Sequence, residues 1–127
     1  MKNILIVDDN YYFLDGLSMC LCNYLKNCNI LTAASGGKAL EIVESMPIEL
    51  IVSDLYMPFM DGYQLVESVR EKHPDIPVFI MTGGAVQDTR KRLASLGVSR
   101  CIEKPFGFKE LADLIAVAIN VRAPAAA

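Results

Sequence analysis

Five residues of this chain carry groups suited to handling phosphate, and each stands at the end of an apolar run. Asp8 and Asp9 close the first run, Asp54 the third, Thr82 the fourth and Lys104 the fifth. The run before Asp54 (Leu50, Ile51, Val52) is apolar at every position, as expected of a parallel strand buried on both faces. Open sheets of such strands gather their ligands at the carboxyl ends. A lone acid at a strand end often does no more than cap the following helix. Three acids on two strand ends are a stronger signal.

If the first and third strands are neighbours, these three carboxylates crowd together. Like charges that close are costly unless a cation sits among them. Oxygen donors without His or Cys select a hard ion, and a shallow, incomplete cage suits Mg²⁺, which keeps several waters. A carboxylate beside Mg²⁺, with an ammonium and a hydroxyl across from it, is a site for phosphoryl transfer. Its nucleophile is a carboxylate oxygen, and the cations spread the charge of the transferring group.

The elements that must position these groups follow from the period of the apolar residues. Strands are expected at residues 3–7, 30–34, 49–54, 77–82 and 98–103. Helical spacing joins Leu14, Leu17, Leu21, Tyr24 and Leu25, with Asn27-Cys28-Asn29 as the break. Ser35-Gly36-Gly37 starts a second helix with face Leu40, Val43 and Met46, stopped by Pro47. Pro58 and Asp61-Gly62 form a turn that opens a third, carrying Leu65, Val66 and Val69 and ended by His73-Pro74-Asp75. Residues 87–96 make a polar helix stopped by Gly97, and Phe108, Leu111, Ala112, Ile115 and Ile119 mark the last. Strands alternating with helices give an α/β fold, a single doubly wound parallel sheet of five strands with five helices.

At 127 residues the chain is expected to form one domain over residues 1–121, with residues 122–127 a linker start or cloning remnant. Hydrophobic residues make up 53% and charged residues 21%, which excludes a disordered chain. A net charge of −3 argues against nucleic-acid binding by bulk electrostatics. No apolar run approaches the ~18 residues of a membrane span, and the start shows no signal-peptide plan. Cys20, Cys22, Cys28 and Cys101 form no Cys-x-x-Cys pair and are expected as small, buried or half-buried thiols. A cytoplasmic domain is the reading.

Taken together, Asp8-Asp9, Asp54 with Met57-Pro58-Phe59-Met60-Asp61-Gly62, Thr82 with Gly83, and Lys104-Pro105-Phe106 resemble the response-regulator receiver domains of two-component signalling. The match runs over roughly residues 2–120, in the family's order and spacing. The resemblance implies a flavodoxin-like sheet of order 2-1-3-4-5. It also implies that Asp54 accepts a phosphoryl group from a partner histidine kinase or phosphotransfer protein. Asp9, Asp54 and the Tyr56 carbonyl would hold Mg²⁺, Asp8 acting mainly through water, with Thr82 and Lys104 on the phosphoryl group. The domain would catalyse only its own phosphorylation and dephosphorylation, and is not otherwise an enzyme. It would switch the face made by the fourth helix, fifth strand and last helix, toward an output domain, a partner or a second copy. A cis Lys104–Pro105 bond is part of the same expectation.

One position departs from the family. Receivers usually carry Tyr or Phe three residues before the lysine, and here Cys101 stands there; Phe106 and Phe108 are the nearest aromatic substitutes. A pseudo-receiver that binds partners without phosphorylation is therefore the alternative reading. A haloacid-dehalogenase phosphatase would want a second Asp at position 56, which is Tyr. A flavin or nucleotide binder would need a phosphate-cradling loop where the repelling Asp8-Asp9 pair stands. His73 reads as an exposed loop residue, Arg90-Lys91-Arg92 as a solvated helix face, and the pairs Gly36-Gly37 and Gly83-Gly84 as no phosphate loops. Tyr56 and Gly84, each two residues beyond a site residue, are expected at its rim.

Overall fold

The computed structural model describes residues 1–84 and 87–119, so the expected tail at 122–127 lies outside the described residues. Strands β1 (Lys2–Val7), β2 (Cys28–Ala33), β3 (Leu50–Asp54), β4 (Val78–Thr82) and β5 (Arg100–Glu103) alternate with helices α1 (Tyr11–Tyr24), α2 (Gly36–Ser45), α3 (Gly62–Lys72), α4 (Gln87–Ser95) and α5 (Phe108–Ile119). All strands pair in parallel, in the order β2-β1-β3-β4-β5. The chain therefore has the flavodoxin-like α/β fold expected of it, with β1 and β3 adjacent at the switch point.

Side chains alternate between two cores. Ile4, Ile6, Leu50, Val52, Phe79, Met81 and Ile102 face α1 and α5. Leu5, Val7, Ile51, Val78 and Ile80 face α2, α3 and α4, where the half-buried Cys101 also packs. Each fully buried Leu or Ile contributes ~1.5–3 kcal/mol before chain entropy is subtracted. That double burial is why these strands read as unbroken apolar runs.

The helices start on side-chain caps. The Asn10 carboxamide accepts from the Phe13 N–H at 3.2 Å and the Ser35 hydroxyl from the Lys38 N–H at 3.1 Å. Asp61 and Gln64 form a reciprocal capping box, 2.9 Å each way. Boundaries shift where tertiary pairing overrides local pattern. β2 begins at Cys28, earlier than expected, because Asn27 takes a left-handed φ of 62° and turns the chain directly into the sheet. β5 begins at Arg100, two residues later than expected, since Val98 and Ser99 still belong to the turn after Gly97. Met46 leaves the α2 face: the helix stops at Ser45 and Met46 is extended.

Three other expectations are amended. Cys22 is exposed, and all four cysteines are free thiols. His73 is only half-exposed, 3.3 Å from the Glu44 carboxylate at the end of the sheet opposite the strand-end acids. The basic stretch on α4 is partly tied down: Arg90 pairs with Glu103 at 2.9 Å, and the Arg92 guanidinium lies 3.8 Å from the centre of the Tyr63 ring. Among the described residues no helix is long and apolar enough to cross a membrane.

Candidate metal and phosphoacceptor site

Parallel pairing delivers the strand-end groups to one place. Asp8, Asp9 and Asp54 each offer a carboxylate oxygen, and the three lie within 4.8 Å of one another. β3 and β4 are in register at Asp54 and Met81, which puts buried Thr82 one step beyond. β4 and β5 are in register at Thr82 and Glu103, and the Lys104 N–H donates to the Thr82 carbonyl at 2.8 Å. The Lys104–Pro105 bond that follows is cis.

The Lys104 side chain crosses the strand ends over the Phe13 ring and reaches the acids. Its Nζ lies 2.9 Å from Asp8 Oδ2 and 3.7 Å from Asp54 Oδ1. Asp8 is the most deeply buried of the three, only 1% exposed, and its other oxygen accepts from the Asn10 N–H at 2.9 Å. The ammonium thus supplies part of the positive charge that the acid cluster demands.

Asp54 is half-buried, and its Oδ1 also accepts from the Leu55 N–H at 2.9 Å. Burial pushes its carboxyl above the ordinary carboxylate range. The Lys104 charge pulls it back and the Asp8 charge pushes it up again, with smaller opposed effects from the Leu55 N–H and Asp9. Oδ1 thus carries both the Leu55 hydrogen bond and the nearer approach of Lys104.

Close backbone packing fixes the loop between β3 and α3. Gly62 donates to the Leu55 carbonyl at 2.7 Å. A Cβ on Gly62 would stand 2.9 Å from both the Asp54 carbonyl oxygen and Leu55 Cα, so only glycine fits there. The rim is aromatic and open: Tyr56 is 65% exposed, and Tyr11, Tyr12 and Phe59 also face solvent. Gly84, with φ 127°, stands exposed at the end of β4, where the resemblance puts the other rim residue.

Every site residue expected from the sequence lies at the carboxyl edge of the sheet, but the main partner of Lys104 differs from expectation. The sequence suggested Lys104 and Thr82 opposite the acids; in the structure the ammonium is bonded to Asp8. Spacing carries no signal for that pairing, because it depends on how far a flexible side chain reaches. The role of Asn10, whose N–H steadies Asp8, was also missed; its visible signal was only that of a helix cap. Phe106 stacks edge-on against Phe13, ring centres 6.2 Å apart, and Phe108 against Tyr24 at 6.1 Å. Phe13, Phe106 and Tyr24 all pack on the α1–α5 core, across the sheet from Cys101, so neither ring replaces the missing aromatic.

Comparison with known proteins agrees with this geometry. The model of the response regulator receiver domain matches residues 4–116. The chain is 33% identical over 121 residues to the sensor histidine kinase TmoS of Ectopseudomonas mendocina, covering 94% of this chain and 12% of that protein. It is 29% identical over 118 residues to response regulator RR06 of Streptococcus pneumoniae, covering 93% of this chain and 53% of that protein. The chain thus spans about half or less of the length of these curated relatives. A CheY-like receiver domain from Methanospirillum hungatei superposes with a TM-score of 0.87 at 27% identity, covering 94% of both chains. The non-phosphorylated HemR receiver domain of Leptospira biflexa gives 0.86 at 27% identity, covering 98% of both. The strand-end acids, the lysine that reaches them and the match over residues 4–116 lead to one conclusion: this chain belongs to the response regulator receiver domain family.

Proposed function

We propose that this domain is a phosphoacceptor, with Asp54 taking a phosphoryl group from the phosphohistidine of a sensor kinase or phosphotransfer protein. The observation that carries the reading is the convergence of three carboxylates and the Lys104 ammonium at one sheet edge. The donor set is all oxygen and its negative charge exceeds what Lys104 neutralises, which fits Mg²⁺. The Asp8, Asp9 and Asp54 carboxylates and the Tyr56 carbonyl would hold the ion, Asp8 mainly through water. Bound there, Mg²⁺ supplies charge neutralisation for the incoming phosphoryl oxygens.

The residues of the chain do the rest. An Asp54 carboxylate oxygen attacks phosphorus; a P–O bond forms as the donor's P–N bond breaks, and the leaving imidazole takes up a proton. Lys104 and the Thr82 hydroxyl hold the transferred oxygens. Lys104 then trades its Asp8 contact for the new dianion, and that exchange is how occupancy becomes a structural signal. The domain turns over no other substrate. The signal leaves through α4, β5 and α5, where Arg90, Lys91, Arg100 and Glu103 form a mixed-charge face suited to an output domain, a partner or a second copy. A cytoplasmic setting suits this partner set.

The test is intact-mass measurement after incubation with Mg²⁺ and acetyl phosphate. One phosphoryl mass, labile to base and absent from Asp54→Asn, is expected; unchanged labelling in Asp54→Asn overturns the assignment. Cys101, in place of the usual aromatic, favours a second reading: a receiver that binds partners without phosphorylation. No mass gain and unaltered partner binding would establish that reading.

A further inference from the structure

The loop between β3 and α3 bears the Tyr56 carbonyl, yet it contains a backbone conformation that should not persist unaided. Phe59 has φ 68°, and the Met60 N–H bonds back to the Pro58 carbonyl at 2.8 Å. A two-residue hydrogen bond around a positive φ is the rarer, strained form of γ-turn. For a bulky side chain that conformation is an outlier and needs surroundings that impose it. The Phe59 ring cannot impose it, because it is fully exposed.

Met60 is the neighbour that is held. Its side chain is half-buried and lies along the first residue of α2, the buried Gly36. A Cβ built on Gly36 would stand 2.7 Å from Met60 Sδ, 2.8 Å from Cγ and 2.9 Å from Cβ. Because the Met60 Cβ itself is within that distance, turning the end of the side chain away would not make room. Met60 and the backbone of its turn would have to move. The start of α2 is in turn fixed by the Ser35 cap.

We infer that Met60 seated on Gly36 is a clasp by which α2 holds the strained turn at Phe59, and so sets the Tyr56 carbonyl in place for the metal. Both are positioning residues; neither touches the ion or the phosphoryl group. This inference rests on the proposed phosphoacceptor reading for its metal consequence, while the clasp itself concerns the free protein.

The experiment therefore has two readouts on Gly36→Ala, Met60→Ala, the volume-conserving Met60→Leu, and Val43→Ala. The last shortens a buried side chain on α2 away from the loop, as a control for general destabilisation. Amide exchange without metal is expected to rise about tenfold at residues 56, 57, 59 and 60 in Gly36→Ala and Met60→Ala, and not in Met60→Leu or Val43→Ala. Mg²⁺ binding, followed by tyrosine fluorescence, is expected to weaken about tenfold in the same two variants, the scale on which residues behind metal ligands act. Loop exchange that stays at the natural rate in both variants overturns the clasp. So does loosening that is matched by Val43→Ala. Loosened loops with unchanged Mg²⁺ affinity overturn the link to the metal. A natural protein that binds no Mg²⁺ refutes the phosphoacceptor reading instead, and the exchange data still decide the clasp.

Discussion

Replacing Lys104 by Met removes a charge and keeps the side chain's length, which separates two things the lysine does. Without metal, Lys104 is the cation bonded to Asp8, whose carboxylate is 1% exposed while the lysine is 27% exposed. Removing one partner of a buried pair costs ~3–5 kcal/mol, and partial exposure of the lysine places this case near the lower end. A chain of 127 residues unfolds with an entropy of about 0.27 kcal/mol/K, so ~3 kcal/mol lowers the melting temperature by about 10 °C. With Mg²⁺ the sign of the effect on binding reverses. The lysine and the ion compete for the same acids, and removing a unit charge a few ångströms from a divalent ion is worth ~1–2 kcal/mol even at water-like dielectric. The variant should therefore bind Mg²⁺ about tenfold more tightly, so saturating ion stabilises it by ~1.4 kcal/mol more than it stabilises the natural protein.

The assay is thermal melting in chelator and across a Mg²⁺ series, alongside the rate of phosphorylation by acetyl phosphate. The expected pattern is a deficit of about 10 °C in chelator that shrinks to about 6 °C in excess Mg²⁺. Transfer slows by about a hundredfold even so, because the phosphoryl oxygens have lost their ammonium. Equal deficits with and without Mg²⁺, or weaker ion binding in the variant, would refute the reasoning, since both follow only from shared use of the acids.

Other expectations follow from single contacts. Burial raises the Asp54 carboxyl, so the folded state favours its proton: that stability is complete below the ordinary carboxylate value, near pH 4, and is lost as pH rises through the raised one. In chelator Asp54→Asn should therefore melt above the natural protein at pH 8, and the difference should vanish toward pH 4. Arg70 donates to the Pro74, Ile76 and Gly97 carbonyls at 3.4, 2.6 and 2.9 Å. Arg70→Met should cost ~2 kcal/mol by denaturant melting and leave Mg²⁺ affinity unchanged. Burial raises the Cys28 and Cys101 thiols, so a thiol-disulfide reagent should label exposed Cys22 first and these two slowly at neutral pH. Labelling of Cys28 as fast as Cys22 would contradict its burial. Cys101→Tyr should enlarge the effect of beryllofluoride on amide exchange in α4 and β5; an equal, large response in both proteins would show that no aromatic is needed.

Much of this was legible in the chain because the fold is built from patterns that are local. Strands buried on both faces read as apolar runs, helices as three-four spacing, and four of the five runs end in a polar residue that has to lie at the sheet's edge. The order of the strands was not local, and it was the resemblance to receivers that supplied it. What stayed hidden depends on contacts between residues distant in sequence. Lys104 meets Asp8 across 96 positions. Gly36 reads as a helix start and Met60 as a loop residue, and only superposition of α2 on the β3–α3 loop makes them partners. Phe59 gave no sign of a left-handed φ, since nothing in a Pro-Phe-Met stretch favours one.

The same distinction between the two faces of the sheet bears on how the site can speak to α4. Thr82 shares its alternation with Val78 and Ile80, and Cys101 packs on that same side, so the pair stands where a hydroxyl and a ring would move together. A thiol that barely changes its burial cannot return the ~1–3 kcal/mol that an inward-turning aromatic would. What remains to couple α4 to the site is thinner. Leu93 is the one buried residue among the described residues of α4, and the helix is also held by Arg92 on the Tyr63 ring and by Arg90 on Glu103. Glu103 is the residue before Lys104 and the register partner of Thr82. Among the described residues, movement of the lysine would reach α4 by way of Glu103 and its exposed ion pair with Arg90, a link worth ~0–1 kcal/mol. A shift that small changes a two-state ratio by less than about sixfold, so this ion pair alone would pass only a weak signal to α4.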